Sequence, residues 1–414
     1  MGEGGTPHSM RNQPSMLCHI TVDRGAAEGR VHVSRNCRTW LAAAAVWIAC
    51  GTASLCAQGD ARQNALALEQ QGRSGEAEAA WQAIAKSDPR NAEAFAHMGL
   101  TESRQERYDE AIANYRRALE LNPALPGLQL NLGLALFKAK QFKESLKPFT
   151  AELRNHPGDQ RLTILLGMAH YGMGDYLVAI PYLKQAAERD TQSLPLRLTL
   201  AHSCLWSKQY ECVLDVYKEI LALNAESAEA DMLAGEALDQ KGDNAGAIEQ
   251  FRAAVRTNPK EPNAHFGLGY LLWAQTQYDE AAKEFQAELD NDPEHVQARI
   301  FLGDSYVQLN DYATALPELE KAVVTSPSFS LVHRDLGIVY ADAGRQDDAV
   351  KELQKAIALD PRDVAPHWRL AKLYQSMGKR EEANGEFAKA SAMKKQASEA
   401  LYQKLDAARP PSQP

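Results

Sequence analysis

The chain has 414 residues, 45% apolar and 24% charged, which is enough apolar material for a buried core and no compositional sign of global disorder. A formal net charge of -9, with 45 Lys and Arg against 54 Asp and Glu and no dense basic run, argues against a phosphate-binding surface, so nucleic acid is not an expected partner. It argues equally against a polybasic membrane patch, and Lys394-Lys395 reads as a solvated helix face.

Residues 1–57 read as a leader. Trp40 to Ala57 (WLAAAAVWIACGTASLCA) is the one long uncharged stretch, and Arg35 and Arg38 stand just before it, the layout of a secretory signal. Its strongly apolar part, Leu41 to Cys50, is too short to span a hydrocarbon core, and Gly51-Thr52-Ala53-Ser54 supplies small residues ahead of cleavage, expected after Ala57. Two alternatives stay open beside cleavage: a lipid anchor on Cys56, against which the bulky Leu55 counts, and retention as a signal anchor. On all three the protein is exported, periplasmic or envelope-associated, with the leader as its one expected membrane link; a cytosolic protein is the remaining alternative. Residues 1–34 are Gly-rich and aperiodic, which points to a start codon assigned too far upstream. Four of the six cysteines, Cys18, Cys37, Cys50 and Cys56, fall in the leader, so the remainder is not a disulfide-stapled scaffold.

From Gln58 onward prolines recur every 34 residues, at Pro89, Pro123, Pro157, Pro259, Pro293, Pro327 and Pro361, with Thr191 and Ala225 in the two missing slots. When this proline is placed in slot 32, slot eight holds Gly99, Gly133, Gly167, Gly235, Gly269, Gly303 and Gly337, and slot twenty holds Ala77, Ala111, Ala179, Ala247, Ala281, Ala315, Ala349 and Ala383. Apolar residues between them recur at three- and four-residue steps, as in Leu130, Leu134 and Phe137, then Phe142, Leu146 and Phe149. Each unit is therefore an antiparallel helix pair, expected to cross where the glycine faces the alanine. Asp-Pro and Asn-Pro end the second helix, because the residue before proline is pushed out of helical dihedrals. Gly242, Gly344 and Gly378 end the first helix with a left-handed turn.

This pattern resembles the tetratricopeptide repeat family. The resemblance rests on Gly in slot eight, Ala in slot twenty, an aromatic or Leu in slot twenty-four (Tyr115, Phe149, Phe251, Phe285, Phe387), Ala in slot twenty-seven (Ala118, Ala254, Ala322, Ala356) and Pro in slot thirty-two. It covers residues 58–395 in ten units, and it implies an all-α, right-handed superhelical solenoid of about ten helix-turn-helix repeats. The unit from Leu194 departs most, with Ala201, Val213 and Ala225 in place of Gly, Ala and Pro; the first unit, with Ala65 and Ile84 in key slots, looks like a terminal cap. Residues 396–414 read as a capping helix, perceptible from Ser391 onward and continuous with the last repeat helix, and then a disordered tail from Pro410-Pro411.

The resemblance further implies that slots two, five, nine, twelve and thirteen of each first helix face a concave groove. In the middle units these slots are apolar: Leu130, Leu134 and Phe137; Ile164, Met168 and Tyr171; Leu198, Leu205 and Trp206; Met232; Phe266, Tyr270 and Trp273; Ile300 and Val307. The flanks are polar, with Arg62, Glu69 and Gln70 at one end and Arg334, Asp342, Lys372 and Gln375 at the other. An apolar floor of this kind is either a partner-binding surface, with Trp206 and Trp273 as anchors, or packing between neighbouring first helices.

No phosphate loop, nucleophile elbow or metal-binding His-Glu motif is present, and no metal or cofactor is expected. His265, His333 and His367, all in slot four, read as packing rings. Cys204 and Cys212 lie on the two helices of the divergent unit, and eight residues across a hairpin bring them within range of a disulfide only if Cys212 does not look outward; two free thiols are the leading reading and the disulfide stays open as the alternative. The array fills the chain. The expectation is a monomeric, non-catalytic adaptor or scaffold whose groove holds an extended peptide or partner helix of another protein. The alternative is a regulatory or assembly subunit of an enzyme complex, a glycosyltransferase or an envelope-biogenesis machine, acting in trans.

Overall fold

A computed structural model of the chain describes residues 60–223 and 226–407. The leader with its cleavage position, the Ala225 slot and the tail beyond Ala407 lie outside the described residues. Among those described there are twenty helices and no strand. The chain divides into two compact units. The first, ending at Asp88, contains α1 (60–70) and α2 (Ser74–Ser87). Here Trp81 is buried and its indole N–H donates to Glu69 Oε1 at 2.6 Å, so Glu69, expected as an exposed flank residue, is instead a buried partner, 8% exposed.

The second unit begins at Pro89 and holds nine helix pairs. These are α3 (Ala92–Arg104) with α4 (Tyr108–Leu121), α5 (Leu128–Lys138) with α6 (Phe142–Asn155), and α7 (Gln160–Gly172) with α8 (Tyr176–Arg189). Next come α9 (Leu194–Trp206) with α10 (Tyr210–Ala222), α11 (Ala228–Gln240) with α12 (Asn244–Thr257), and α13 (Ala264–Ala274) with α14 (Tyr278–Asn291). The last are α15 (Val296–Gln308) with α16 (Tyr312–Thr325), α17 (Ser330–Asp342) with α18 (Gln346–Leu359), and α19 (Val364–Ser376) with α20 (Arg380–Ala407). Each helix packs on the next in the chain, and first helices also touch the first helix of the following pair, for example α9 with α11 and α15 with α17. The capping segment is the uninterrupted continuation of the last repeat helix.

The helix ends lie where the sequence places them. Asn122, Asn258, Asp292 and Asp360, each before a proline, leave the helix at ψ between 88 and 97°. Every unit turns between its helices through one left-handed residue in slot fifteen. It is glycine at Gly72, Gly174, Gly242, Gly344 and Gly378, but Glu106, Lys140, Lys208, Thr276 and Asn310 take the same conformation in the other units. α5 and α13 start two residues late, each after a left-handed residue (Gly127, Asn263) that follows an extra proline, Pro126 or Pro262.

The crossing of the paired helices differs in detail from the expected glycine-alanine contact. A methyl group on Gly133 would come 2.5 Å from the Phe149 ring, on Gly99 2.8 Å from Tyr115 and on Gly269 2.9 Å from Phe285, so slot eight lies under the slot twenty-four side chain. The slot-twenty alanine is buried beside it and contributes its backbone, with the Ala281 carbonyl 3.3 Å from the position of that methyl on Gly269. Gly133→Ala is therefore expected to destabilise the protein by about 1–3 kcal/mol, because the methyl meets the ring of the fully buried Phe149. Gly158→Ala, in open space, serves as the control in the same denaturant titration.

Consecutive pairs are also joined by a repeated polar bracket in place of simple packing rings. His333 is fully buried, its Nδ1 lies 2.5 Å from Glu352 Oε2 in the same pair, and its Nε2 lies 3.0 Å from the carbonyl of Pro327 in the preceding pair. His265 makes the same two contacts, to Glu284 and the Pro259 carbonyl, and Arg299 substitutes for histidine between Glu318 and the Pro293 carbonyl. His367 keeps the carboxylate half, with Nδ1 2.5 Å from Glu386. The bracket gives the proline carbonyl a donor at these three junctions and ties each first helix to the end of the preceding pair.

The divergent pair corrects another expectation. Cys204 and Cys212 form a disulfide, with Cα atoms 5.8 Å apart. Cys212 is half-buried against the core of its pair, not directed outward. The bond cross-links the pair in which the glycine, alanine and proline of the repeat are all replaced. Peptide mapping without reduction should recover both cysteines in one species lighter by two hydrogens than after reduction; recovery of two alkylated thiols would contradict the bond.

Candidate functional site

The first helices of the middle pairs are apolar on more than one side. α13 reads AHFGLGYLLWA and has no acidic or basic side chain apart from one histidine. One side meets its own second helix, the flanks meet neighbouring first helices, and what remains faces outward. Burial separates the fifteen residues expected on the groove. Leu205, Ile300 and Val307 are core, 8%, 2% and 4% exposed, because they are wedged between adjoining helices; the packing reading holds for them. Leu130, Leu134 and Phe137 are half-buried around Phe149 and Leu166, while Ile164, Met168, Tyr171 and Leu198 are half-buried against the core of α8 to α10. Met232, Phe266 and Trp273 rest half-buried on the Phe251, Leu268 and Phe285 core. Trp206 and Tyr270 alone of the fifteen are openly exposed, at 49% and 41%.

Those two residues lie in one cleft of about 600 Å³, formed where α9, α11 and α13 come side by side. Met232, Phe266, Leu271 and Phe251 give it an apolar wall, and Glu236, Asp239, Lys208 and Tyr210 are among its polar lining. Gly267 is required here: a methyl group in its place would run into the Phe251 ring. Trp206 is held by three rings, Tyr176 at 4.6 Å between centroids, His202 at 5.0 Å and Tyr171 at 5.7 Å. Tyr270 is held by Phe301 at 5.3 Å, Trp273 at 5.9 Å and Phe266 at 6.3 Å. Exposed aromatic side chains braced in this way lose little rotamer freedom when they bind.

Trp273, the sequence-level choice of second anchor, does not line the cleft. Its indole N–H donates to Asp304 Oδ2 at 2.6 Å and its ring stands edge-on to Phe301, so it supports Tyr270 from the side. The two carboxylates of α11 were not singled out in the sequence, although Glu236 stands in slot nine and Asp239 in slot twelve; polar residues in groove slots gave no contrast with an ordinary solvated face. Desolvation by the cleft pushes the Glu236 carboxyl above the usual carboxylate range; His202 opposes that shift and Asp239 adds to it. Among the described residues neither Glu236 nor Asp239 has an ion-pair partner. His202 is engaged elsewhere, with Nε2 2.7 Å from Glu229 Oε1.

Beside the cleft, a charged cluster spans α15 and α17. Asp304 and Asp335 are both fully buried; Arg334 donates to Asp304 at 2.5 Å and through Nε to Asp335 at 2.9 Å. Arg334, expected as a polar groove flank, is thereby part of the interior. Burial first, then the nearby Asp304 carboxylate, hold the Asp335 carboxyl well above its ordinary value against the pull of Arg334. An acid raised in this way takes up a proton on folding, so its cost is absent below the unfolded value of 3.8 and grows as pH rises above it. Asp335→Asn, which keeps an acceptor for Arg334 and offers an N–H to Asp304, should raise the thermal midpoint at pH 7, with the gain shrinking toward zero near pH 4. A uniform shift at all pH values in calorimetry would exclude the ionisation as its cause.

Three family models match this chain. A tetratricopeptide repeat model matches residues 214–262, 232–296 and 266–329, a TPR repeat model matches 101–140 and 339–378, and another tetratricopeptide repeat model matches 170–237, together more than half of the chain. Among curated proteins, TPR repeat-containing protein MJ1428 of Methanocaldococcus jannaschii is 26% identical over 152 residues, 37% of this chain and 27% of the relative. The BBSome complex member BBS4 of Xenopus tropicalis is 24% identical over 148 residues, 36% of this chain and 29% of the relative. The chain thus spans less than a third of the length of either. Solved structures that resemble it include MamA (41-end) from Desulfovibrio magneticus RS-1, at TM-score 0.38 and 22% identity, over 42% of this chain and 98% of that one. YrrB, a TPR protein with an unusual peptide-binding site, gives 0.38 and 22% over 45% and 97%. The APC/C hetero-tetramer Cut9-Hcn1 gives 0.43 and 17% over 74% and 60%.

Proposed function

This chain belongs to the tetratricopeptide repeat family, and on that premise we propose that it is a non-catalytic scaffold that holds a segment of another protein in the cleft formed by α9, α11 and α13. The observation that carries the reading is the pair of exposed, ring-braced aromatics, Trp206 and Tyr270, at the two sides of an apolar cleft. Their exposure costs free energy in the unbound protein that a bound apolar side chain would recover, at roughly 25 cal/mol per Å² of apolar surface covered. The cleft, not the whole length of the groove, is the site, because the apolar floor expected on either side of it is largely taken up by packing.

Export through the leader belongs to the same reading, and the Cys204–Cys212 bond supports it, since disulfides persist in oxidising compartments. The double variant Trp206→Ala/Tyr270→Ala should retain the helical circular dichroism and thermal midpoint of the parent and lose the partner that the parent retains on an affinity column, with the loss at least about tenfold in affinity. Loss of helix together with binding would place these rings in the core, and unchanged binding would move the site away from this cleft.

A further inference from the structure

The lining of the cleft is chemically uneven, and the unevenness bears on what it holds. Its walls are aromatic and apolar, but α11 presents two carboxylates one helical turn apart, Glu236 and Asp239, to the same space. Neither has an ion-pair partner among the described residues, and the one cation of the lining, Lys208, stands in the turn after α9 without bridging to them. Desolvation raises the Glu236 carboxyl and the nearby Asp239 carboxylate adds to that shift. A cation placed between the two would be attracted by both. The surrounding chain carries a formal charge of -9, which disfavours acidic segments before they arrive.

We propose that the segment held in this cleft inserts a basic side chain, arginine in first place, between the α11 carboxylates and the faces of Trp206 and Tyr270, with an apolar side chain beside it on Met232 and Phe266. This rests on the cleft being the binding site. Arginine fits better than lysine for two physical reasons. Its planar guanidinium donates to two carboxylates at once, and the same plane stacks on aromatic faces at a low desolvation cost. Apolar side chains alone would cover the rings but leave the carboxylates further desolvated, and an acidic side chain would add a third negative charge. The cleft volume of about 600 Å³ suits a few side chains of an extended segment and falls within the range of ordinary binding pockets.

Random peptides displayed on phage and selected on the full immobilised chain test this. The expected result is enrichment of arginine or lysine next to an apolar or aromatic residue. Replacing the basic residue of a selected peptide by glutamine should weaken its binding to the parent on the order of tenfold. The variant Glu236→Gln/Asp239→Asn should lose a similar factor, and the affinity for the parent should fall as salt is raised. Selected peptides that lack basic residues, lose binding to Trp206→Ala/Tyr270→Ala and are indifferent to Glu236→Gln/Asp239→Asn would overturn the cation and leave the cleft as the site. Peptides that bind the aromatic double variant as well as the parent would overturn the cleft itself, and a selection that enriches nothing would overturn both.

Discussion

The contact between the slot-eight glycine and the ring or leucine of slot twenty-four is the constraint on which the rest of the array depends. At Gly133 and Phe149, at Gly99 and Tyr115, at Gly235 and Phe251 and at Gly269 and Phe285, the space that a Cβ would need is already filled by the opposing side chain. In these pairs the helices cross there, with the ring fitted over bare backbone, so the crossing stays in the same slot from one such pair to another. Where the second helix carries leucine in that slot, as at Leu183, Leu319 and Leu353, the same closeness is kept with a branched side chain.

A fixed crossing within pairs does not by itself fix the step between pairs. That step is held by junction contacts, of which the polar bracket is the most regular: a histidine or arginine in slot four joins a carboxylate in its own pair to the proline carbonyl that ends the previous one. Solenoids gain stability from such nearest-neighbour terms. Since each junction orients the next first helix, the brackets at Pro259 and Pro293 help set how α13 and α15 stand beside α11, and hence how the cleft wall is built. The disulfide gives the divergent α9–α10 pair, which borders the same cleft, a covalent replacement for the missing glycine contact.

Display of Trp206 and Tyr270 follows from this framework. Each exposed ring is surrounded by rings that are themselves packed, Tyr171 and Tyr176 for the first and Phe266, Trp273 and Phe301 for the second. Trp273 is in turn tied by its N–H to Asp304, whose other oxygen accepts from Arg334. The buried charges of α15 and α17 thus sit one residue behind the cleft surface. Arg334 balances only part of the charge of two buried aspartates, and burial together with Asp304 raises the Asp335 carboxyl.

The helix pairs, their 34-residue phase, the helix ends and the family they form were legible in the residues alone, because those depend on local chemistry: proline and the residue before it, a left-handed turn residue, and apolar spacing along one helix. Trp206 and Tyr270 were likewise legible as groove residues. Which groove slots remain open depends on how neighbouring pairs pack. Slots twelve and thirteen of α9 give a buried Leu205 beside an exposed Trp206, and Tyr270 is open while Trp273 is bonded to Asp304; nothing within either helix distinguishes them, since their burial is set by side chains thirty or so residues away on the next repeat. The same holds for Cys212, His333 and Arg334, which along one helix read as an outward thiol, a packing ring and a polar flank. They become a cross-link, a bracket and a buried cluster once a second helix supplies the cysteine, the carbonyl or the aspartate.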